Sequence, residues 1–263
     1  MSLEKLLYNP EKYRCGNNYL ATNLVYPVEF AGQKYVVKRI RPLHSLLANI
    51  YYTFQDRFLF GTRQLATPWL CLEIEAKKLR YLNGVGTPKL VHFNGYGDTL
   101  IREYIPGILF GDLSSDQQRQ QTLEGALASL EQIHEQNVVV GDAQVKNVLA
   151  SSQRSSQQAP SQQGHFPQAY WLDLEGLFDE SDLRKAKAAD VLKFIYSTYT
   201  VTRDVWAALS TAELVVKQYH NIEVKQQLPL LAAQLVGNLG LWFSTRLPRD
   251  GKLHRDIQRV LRG

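Results

Sequence analysis

Cysteine is scarce: Cys15 and Cys71 are the two in 263 residues, with no CxxC spacing. A disulfide scaffold and a cysteine-built zinc site are therefore excluded, and a reducing compartment fits best. Long apolar runs are missing too. The most apolar late stretch, Leu228 to Phe243, is interrupted by Pro229, Gln234, Asn238 and two glycines. It falls short of the roughly 20 apolar residues a spanning helix needs and reads as a buried helix. The opening MSLEKLLYNPEKYR has no uninterrupted apolar segment followed by a small-residue cleavage site, which predicts no secretory signal and a cytoplasmic protein. Metal-ligand spacing is absent among His44, His92, His165, His220 and His254, and no internal repeat is found.

What is present is ordinary globular material. Apolar residues make up 44% and charged residues 21%, which excludes disorder, collagen-like and coiled-coil readings for most of the length. The size suits one large domain or two lobes sharing a cleft. Thirty Lys and Arg against 25 Asp and Glu leave a net charge of +5, so acidic partners are favoured without one being singled out.

LATNLVYPVEFAGQKYVVKRI alternates around Ala31-Gly32-Gln33 and predicts a hairpin with strands near Leu20–Phe30 and Lys34–Ile40. Pro42 to Leu65 mixes aromatic, aliphatic and basic residues and reads as one or two amphipathic helical pieces. Leu70–Leu82 reads as a helix, ended by the Gly84–Pro88 cluster, and KLVHFNGYGDTLIREYI as two further strands. After Pro106 the chain reads as mainly helical. Ser115–Glu135 has Leu123, Leu127, Leu130 and His134 at helical spacing, with His134 a structural histidine. Val138–Val140 and Val148-Leu149 are strand-like segments around a polar loop. Ala186–Ser197, Thr202–Tyr219, Leu228–Phe243 and the tail Arg246 to Arg262 read as helices and connectors. The Ser, Gln and Pro-rich stretch 151–168 reads as a mobile surface insertion.

Four chemical elements follow in order: a lysine ending a strand (Lys38), a carboxylate on the next helix (Glu75), a GDxxxxN loop (Asp142, Asn147), and an apolar strand ending in DLEG (Asp173). This is the order of the protein-kinase motifs. A strand lysine can reach the α/β-phosphates of ATP if a carboxylate steadies its flexible stem, for which Glu75 is preferred and Glu73 is the fallback. Asp142 would orient an acceptor hydroxyl and receive its proton. Asn147 and Asp173 would hold Mg²⁺, and Lys146 would neutralise phosphate charge. Glu175 reads as a helix N-terminal charge or a second acidic group near the metal. The cluster Tyr51, Tyr52, Phe54, Phe58 and Phe60 reads as core, not as a nucleic-acid platform. The late basics Arg246, Arg249, Lys252, Arg255 and Arg259 read as a solvated face, with an anionic substrate or membrane as the alternative.

With these motifs the chain resembles the small eukaryotic-like kinases of bacteria, and most closely the lipopolysaccharide core kinases that phosphorylate heptose or Kdo. The likeness runs from about Leu20 to Ala208 through FAGQKYVVK, the insertion before the Glu75 helix, GVGTPK, REYIPG, GDAQVKN, YWLDLEG and STYTVTRDVW. RIO-type kinases and the small kinase of the tRNA threonylcarbamoyl-modification complex are similar as well. The resemblance implies an α+β, two-lobed protein-kinase-like fold: an N-lobe over 1–105 of antiparallel sheet plus helix, with an insertion at 42–65, and a mainly helical C-lobe over 106–263. It implies ATP and Mg²⁺ as cofactors, Glu103 and Ile105 as hinge contacts to adenine, and Asp190 as the structural aspartate of the first large C-lobe helix. In place of GxGxxG the first hairpin offers Ala21-Thr22-Asn23, making Thr22 and Asn23 the phosphate-side candidates. The expected acceptor is an inner-core sugar hydroxyl at the cytoplasmic membrane face, with no nucleic-acid partner. Val140 replaces the usual histidine before Gly-Asp, and DFG is replaced by DLEG. A RIO-like protein Ser/Thr kinase and a nucleotide-binding pseudokinase are therefore the alternatives.

Overall fold

Ala31 and Gly32 both take left-handed backbone, with φ of 53° and 76°, as a two-residue hairpin turn requires. The strands they join, β2 (Leu24–Phe30) and β3 (Gln33–Arg39), pair from Leu24 opposite Arg39 to Phe30 opposite Gln33. The computed structural model describes residues 9–16, 19–20, 23–41, 46–47, 50, 63–64, 67–94, 98–151, 168–174, 177–178, 183–242 and 251–263. With β1 (Tyr19–Leu20), β5 (Leu90–Phe93) and β6 (Thr99–Glu103), the hairpin forms an antiparallel sheet in the order β1-β2-β3-β6-β5. Tyr26, Val28, Phe30, Val37 and Ile101 make a small core on one face. Strand alternation, with Lys38 opposite Leu100 and Val36 opposite Arg102, puts Lys38, Leu100 and Arg102 on the other face.

Helix α1 (Pro68–Leu82) starts where the Thr67 side chain accepts from the Leu70 amide and Pro68 supplies preset φ. It stops at Asn83, which is left-handed at φ 45°. After the sheet, Gly107 passes so close to β8 (Val148–Ser151) that a Cβ there would lie 2.3 Å from the Ala150 carbonyl oxygen. β7 (Ile108–Leu109), β8 and β9 (Gln168–Trp171) form a second antiparallel sheet. Helices α2 (Asp116–Glu135), α3 (Leu183–Thr202), α4 (Val205–Gln218), α5 (Ile222–Trp242) and α6 (Lys252–Arg262) make up most of the rest of the described C-terminal half. One large core joins Leu72, Leu79 and Leu82 of α1 to Leu127, Leu130 and Ile133 of α2 and to Val191, Leu192 and Phe194 of α3.

Several expectations are corrected. Val138–Val140 is no strand: it pairs with none among the described residues, and the Val140 amide donates to the Asp190 carboxylate at 2.7 Å. Within the stretch 42–65 the described residues 46–47 and 50 are helical, as expected, and a short strand that was not expected lies near its end. β4 (Arg63–Gln64) pairs with β10 (Leu177–Phe178), a contact between distant segments that local periodicity does not report. The late apolar helix begins earlier, at Ile222, and runs through Pro229, and its described side chains are only partly buried. Leu228 and Leu231 are buried, whereas Leu230 is 58% exposed. Residues 152–167 of the expected surface insertion, most of 42–65, Thr22 and Glu175 lie outside the described residues. Among the described residues no helix is long and apolar enough to cross a membrane.

Candidate active site

Lys38, near the end of β3, and Glu75, on the inward side of α1, are both buried, and Lys38 Nζ donates to Glu75 Oε2 at 2.6 Å. Glu73, two positions away, pairs instead with Lys77 at 2.7 Å on the exposed side. The sequence order thus separates the two glutamates by helical phase. Lys38 Nζ also donates to Asp173 Oδ1 at 2.9 Å. Three residues drawn from β3, α1 and the segment after β9 therefore converge on one ammonium.

A fourth charged group completes the cluster. Arg102 of β6 is 6% exposed and faces Glu75 and Asp173, so two cations balance two anions. Its guanidinium donates to the Leu172 carbonyl. Burial works against the Arg102 charge and the two carboxylates support it. For Asp173, burial pushes the carboxyl up, but Lys38, Arg102 and Lys146 outweigh it and hold it below its ordinary value. Asp173 is ionised at neutral pH, and its side chain is 30% exposed, open to a ligand.

The GDAQVKN loop is fixed from beneath. Asp190 of α3 accepts from the amides of Val140 at 2.7 Å and Gly141 at 2.9 Å, and Lys193 donates to the Gly141 carbonyl at 2.7 Å. Gly141 is left-handed at φ 93°, which turns the chain so that Asp142 is only partly buried. Asn147 Nδ2 donates to both the carbonyl oxygen and Oδ2 of Asp142 at 3.0 Å, and Gln144 donates to Asp142 Oδ1 at 2.5 Å. Lys146 Nζ lies 3.9 Å from Asp142 Oδ2. The Leu172 amide donates to the Asn147 carbonyl at 2.9 Å, so the loop and the Asp173 segment are bonded through their backbones. His134 is buried beside this support. Its Nε2 lies 3.3 Å from Asp190 Oδ2, and its Nδ1 lies 2.6 Å from the Tyr219 hydroxyl.

Lys38, Glu75 and Asp173 therefore meet, as do Asp142, Asn147 and Lys146, and a backbone bond joins the two groups. Asn23 is buried at the start of β2, and Glu103 and Ile105 lie where β6 gives way to the Pro106 turn. The Glu103 amide donates to the Lys89 carbonyl at 2.9 Å. Arg102, Lys78, Gln144 and Lys193 were not foreseen. The first had a signal: alternation from Leu100 puts a charge on the inward face of a strand. Lys78 follows Glu75 by three positions on one helix, and its Nζ donates to the Leu174 carbonyl at 3.1 Å.

The donor set suits a hard cation. Asp173 offers a carboxylate, and Asn147, its amide nitrogen spent on Asp142, has its amide oxygen to offer. Among the described residues no group of three or more His, Cys, Asp and Glu forms a cage, and a cation shared with phosphate oxygens needs only one or two protein carboxylates.

By sequence, neither a family model nor a curated protein matches the chain. A solved structure, "WaaP in complex with acyl carrier protein", is similar at a TM-score of 0.50 and 11% identity, covering 97% of this chain and 92% of that one. At this identity the likeness is one of fold. The chain shares the fold of WaaP over nearly its whole length, in agreement with the α+β, two-lobed kinase-like architecture implied by the order of its motifs.

Proposed function

We propose that this chain is an ATP- and Mg²⁺-dependent kinase that transfers the γ-phosphoryl group to a hydroxyl of a lipopolysaccharide inner-core sugar, its lobes dividing near Pro106. The observation that carries the reading is Lys38 within 2.6 Å of Glu75 and 2.9 Å of Asp173. ATP with Mg²⁺ supplies the transferable phosphoryl group and the cation that offsets its charge. In this reading Lys38, steadied by Glu75, meets the α/β-phosphates, with Asn23 and Thr22 on the phosphate side. Asp173 and the Asn147 amide oxygen hold the cation. Asp142 orients the acceptor hydroxyl and takes its proton at a carboxylate oxygen, and Lys146 lies beside it to meet phosphate charge. The backbone groups of Glu103 and Ile105 receive adenine.

The sugar acceptor rests on the resemblance to lipopolysaccharide core kinases and agrees with the shared fold of WaaP. The exposed Lys252, Arg255, Arg259 and Arg262 of α6 form a basic face suited to an anionic partner, whether the cytoplasmic membrane surface or a carrier protein like the one bound to WaaP. The test is transfer from Mg-ATP to deacylated inner-core oligosaccharide, followed by mass spectrometry and ³¹P NMR. The expected product is a sugar phosphomonoester, formed about 10²–10⁴-fold more slowly by Asp142→Asn. Phosphate appearing on Ser151–Ser161 instead of the sugar would favour a RIO-like protein kinase. Transfer to neither acceptor would contradict the reading.

A further inference from the structure

After β9 leaves its ladder at Trp171, residues 172–174 pair with no strand among the described residues, and their backbone groups look elsewhere for partners. Three of them are held from three directions. Arg102 donates to the carbonyl just before Asp173, and Lys78 donates at 3.1 Å to the Leu174 carbonyl just after it. The Leu172 amide is held by the Asn147 carbonyl at 2.9 Å. Leu174 is fully buried, which adds an apolar anchor on the same side. Two of the three holds are charge-assisted, stronger than neutral hydrogen bonds in a water-poor site.

We propose that Lys78 and Arg102 act as positioning residues that clamp the main chain on either side of Asp173, so that its carboxylate can exchange Lys38 for a metal-bound nucleotide without the backbone moving; this rests on the kinase reading above. The argument turns on which atoms are gripped. Both cations hold carbonyl oxygens, and in neither bond is the Asp173 carboxylate spent. Lys38, by contrast, donates to that carboxylate itself. Lys78 also follows Glu75 on α1, so the helix that steadies Lys38 holds the Asp173 segment as well. Lysine clamp and metal carboxylate are thereby placed by the same element.

The test uses the full chain and two readouts on Lys78→Gln, Arg102→Gln and Arg102→Lys. Hydrogen exchange of the peptide covering 171–174 reads the clamp through the amides it steadies, such as that of Leu172. It is expected to speed up about tenfold in Lys78→Gln and Arg102→Gln and less in Arg102→Lys, which keeps a cationic donor. Calorimetric titration with ATP at several Mg²⁺ concentrations reads its consequence. In Lys78→Gln the Mg²⁺ needed for half-maximal binding should rise severalfold while metal-free ATP affinity changes by less than about twofold. Lys78 is only half-buried and its variant should fold whatever becomes of the Arg102 variants, so unchanged exchange at 171–174 in Lys78→Gln overturns the clamp. Unchanged Mg²⁺ dependence with faster exchange overturns its role in placing Asp173. A wild-type chain without Mg²⁺-dependent ATP binding would defeat the kinase reading, and the exchange result would still decide the clamp.

Discussion

Glu75 is the residue whose loss should cost most. It is fully buried, and it neutralises Lys38 and Arg102 from within the core side of α1. Removing one partner of a buried ion pair leaves an uncompensated charge, so Glu75→Gln should lower unfolding free energy by about 3–5 kcal/mol in urea titrations. Glu73→Gln, on the exposed side, should change it by less than about 1 kcal/mol. Gly141 offers a second test at this scale. Its φ of 93° strains any side chain, so Gly141→Ala should destabilise by about 1–2 kcal/mol and displace Asp142, lowering turnover more than ATP affinity. For Asp173 the sign follows from its lowered pKa. Its bond to Lys38 is fully present above the ordinary carboxylate value of about 3.9 and is lost only as pH falls through the lowered one. Nucleotide binding should therefore be insensitive to this group between neutral and mildly acid pH.

At the level of elements, α3 decides how the site is held. It is buried on every side from Ala186 to Thr198, including Lys187, Asp190, Lys193, Ser197 and Thr198. Several of its polar groups reach partners across the core. Asp190 and Lys193 hold the backbone around Gly141, and Ser197 accepts from the Val145 amide at 2.9 Å. Asp190→Ala would orphan two buried amides at once and should cost several kcal/mol, at about 1–3 each. His134 connects α2 to the same carboxylate. Burial lowers its pKa, partly offset by Asp190, and burial also lowers His254 and His92. The unfolded chain therefore takes up these protons first, near the ordinary histidine value of about 6.5, and stability should fall as pH drops from 7 to 5. A His134→Gln variant should show a shallower decline in melting temperature over that interval.

This scale also shows what the sequence could convey. The hairpin, α1 and α2 were legible because alternation, helical spacing and turn residues coincide with burial. Lys38, Glu75, Asp142, Asn147 and Asp173 were legible as an ordered set because each sits at an element boundary that local patterns mark. Helix α3 had almost no amphipathic signal, since it is surrounded, and its charged residues look exposed until their backbone partners are known. Val138–Val140 looked like a strand because three valines favour one, yet a carboxylate, not a neighbouring strand, takes the Val140 amide. Arg102 and Lys78 were hidden for a related reason: both donate to main-chain carbonyls, which leave no trace in residue identities.

For the whole molecule, an antiparallel sheet bearing Lys38 and a helical half bearing Asp142 are joined by contacts that converge on Asp173. A ligand bridging them should stabilise the fold as a unit. At about 100 times its dissociation constant, Mg-ATP should add about 2.7 kcal/mol, a rise of several degrees in melting temperature. The most direct measurement of the central claim is calorimetric titration of ATP, with and without Mg²⁺, into wild type, Asp173→Asn and Asp142→Asn. Metal-dependent binding is expected in wild type, with loss in Asp173→Asn and retention in Asp142→Asn. Binding that ignores Mg²⁺, or that falls equally in both variants, would overturn the roles proposed for Asp173 and Asp142.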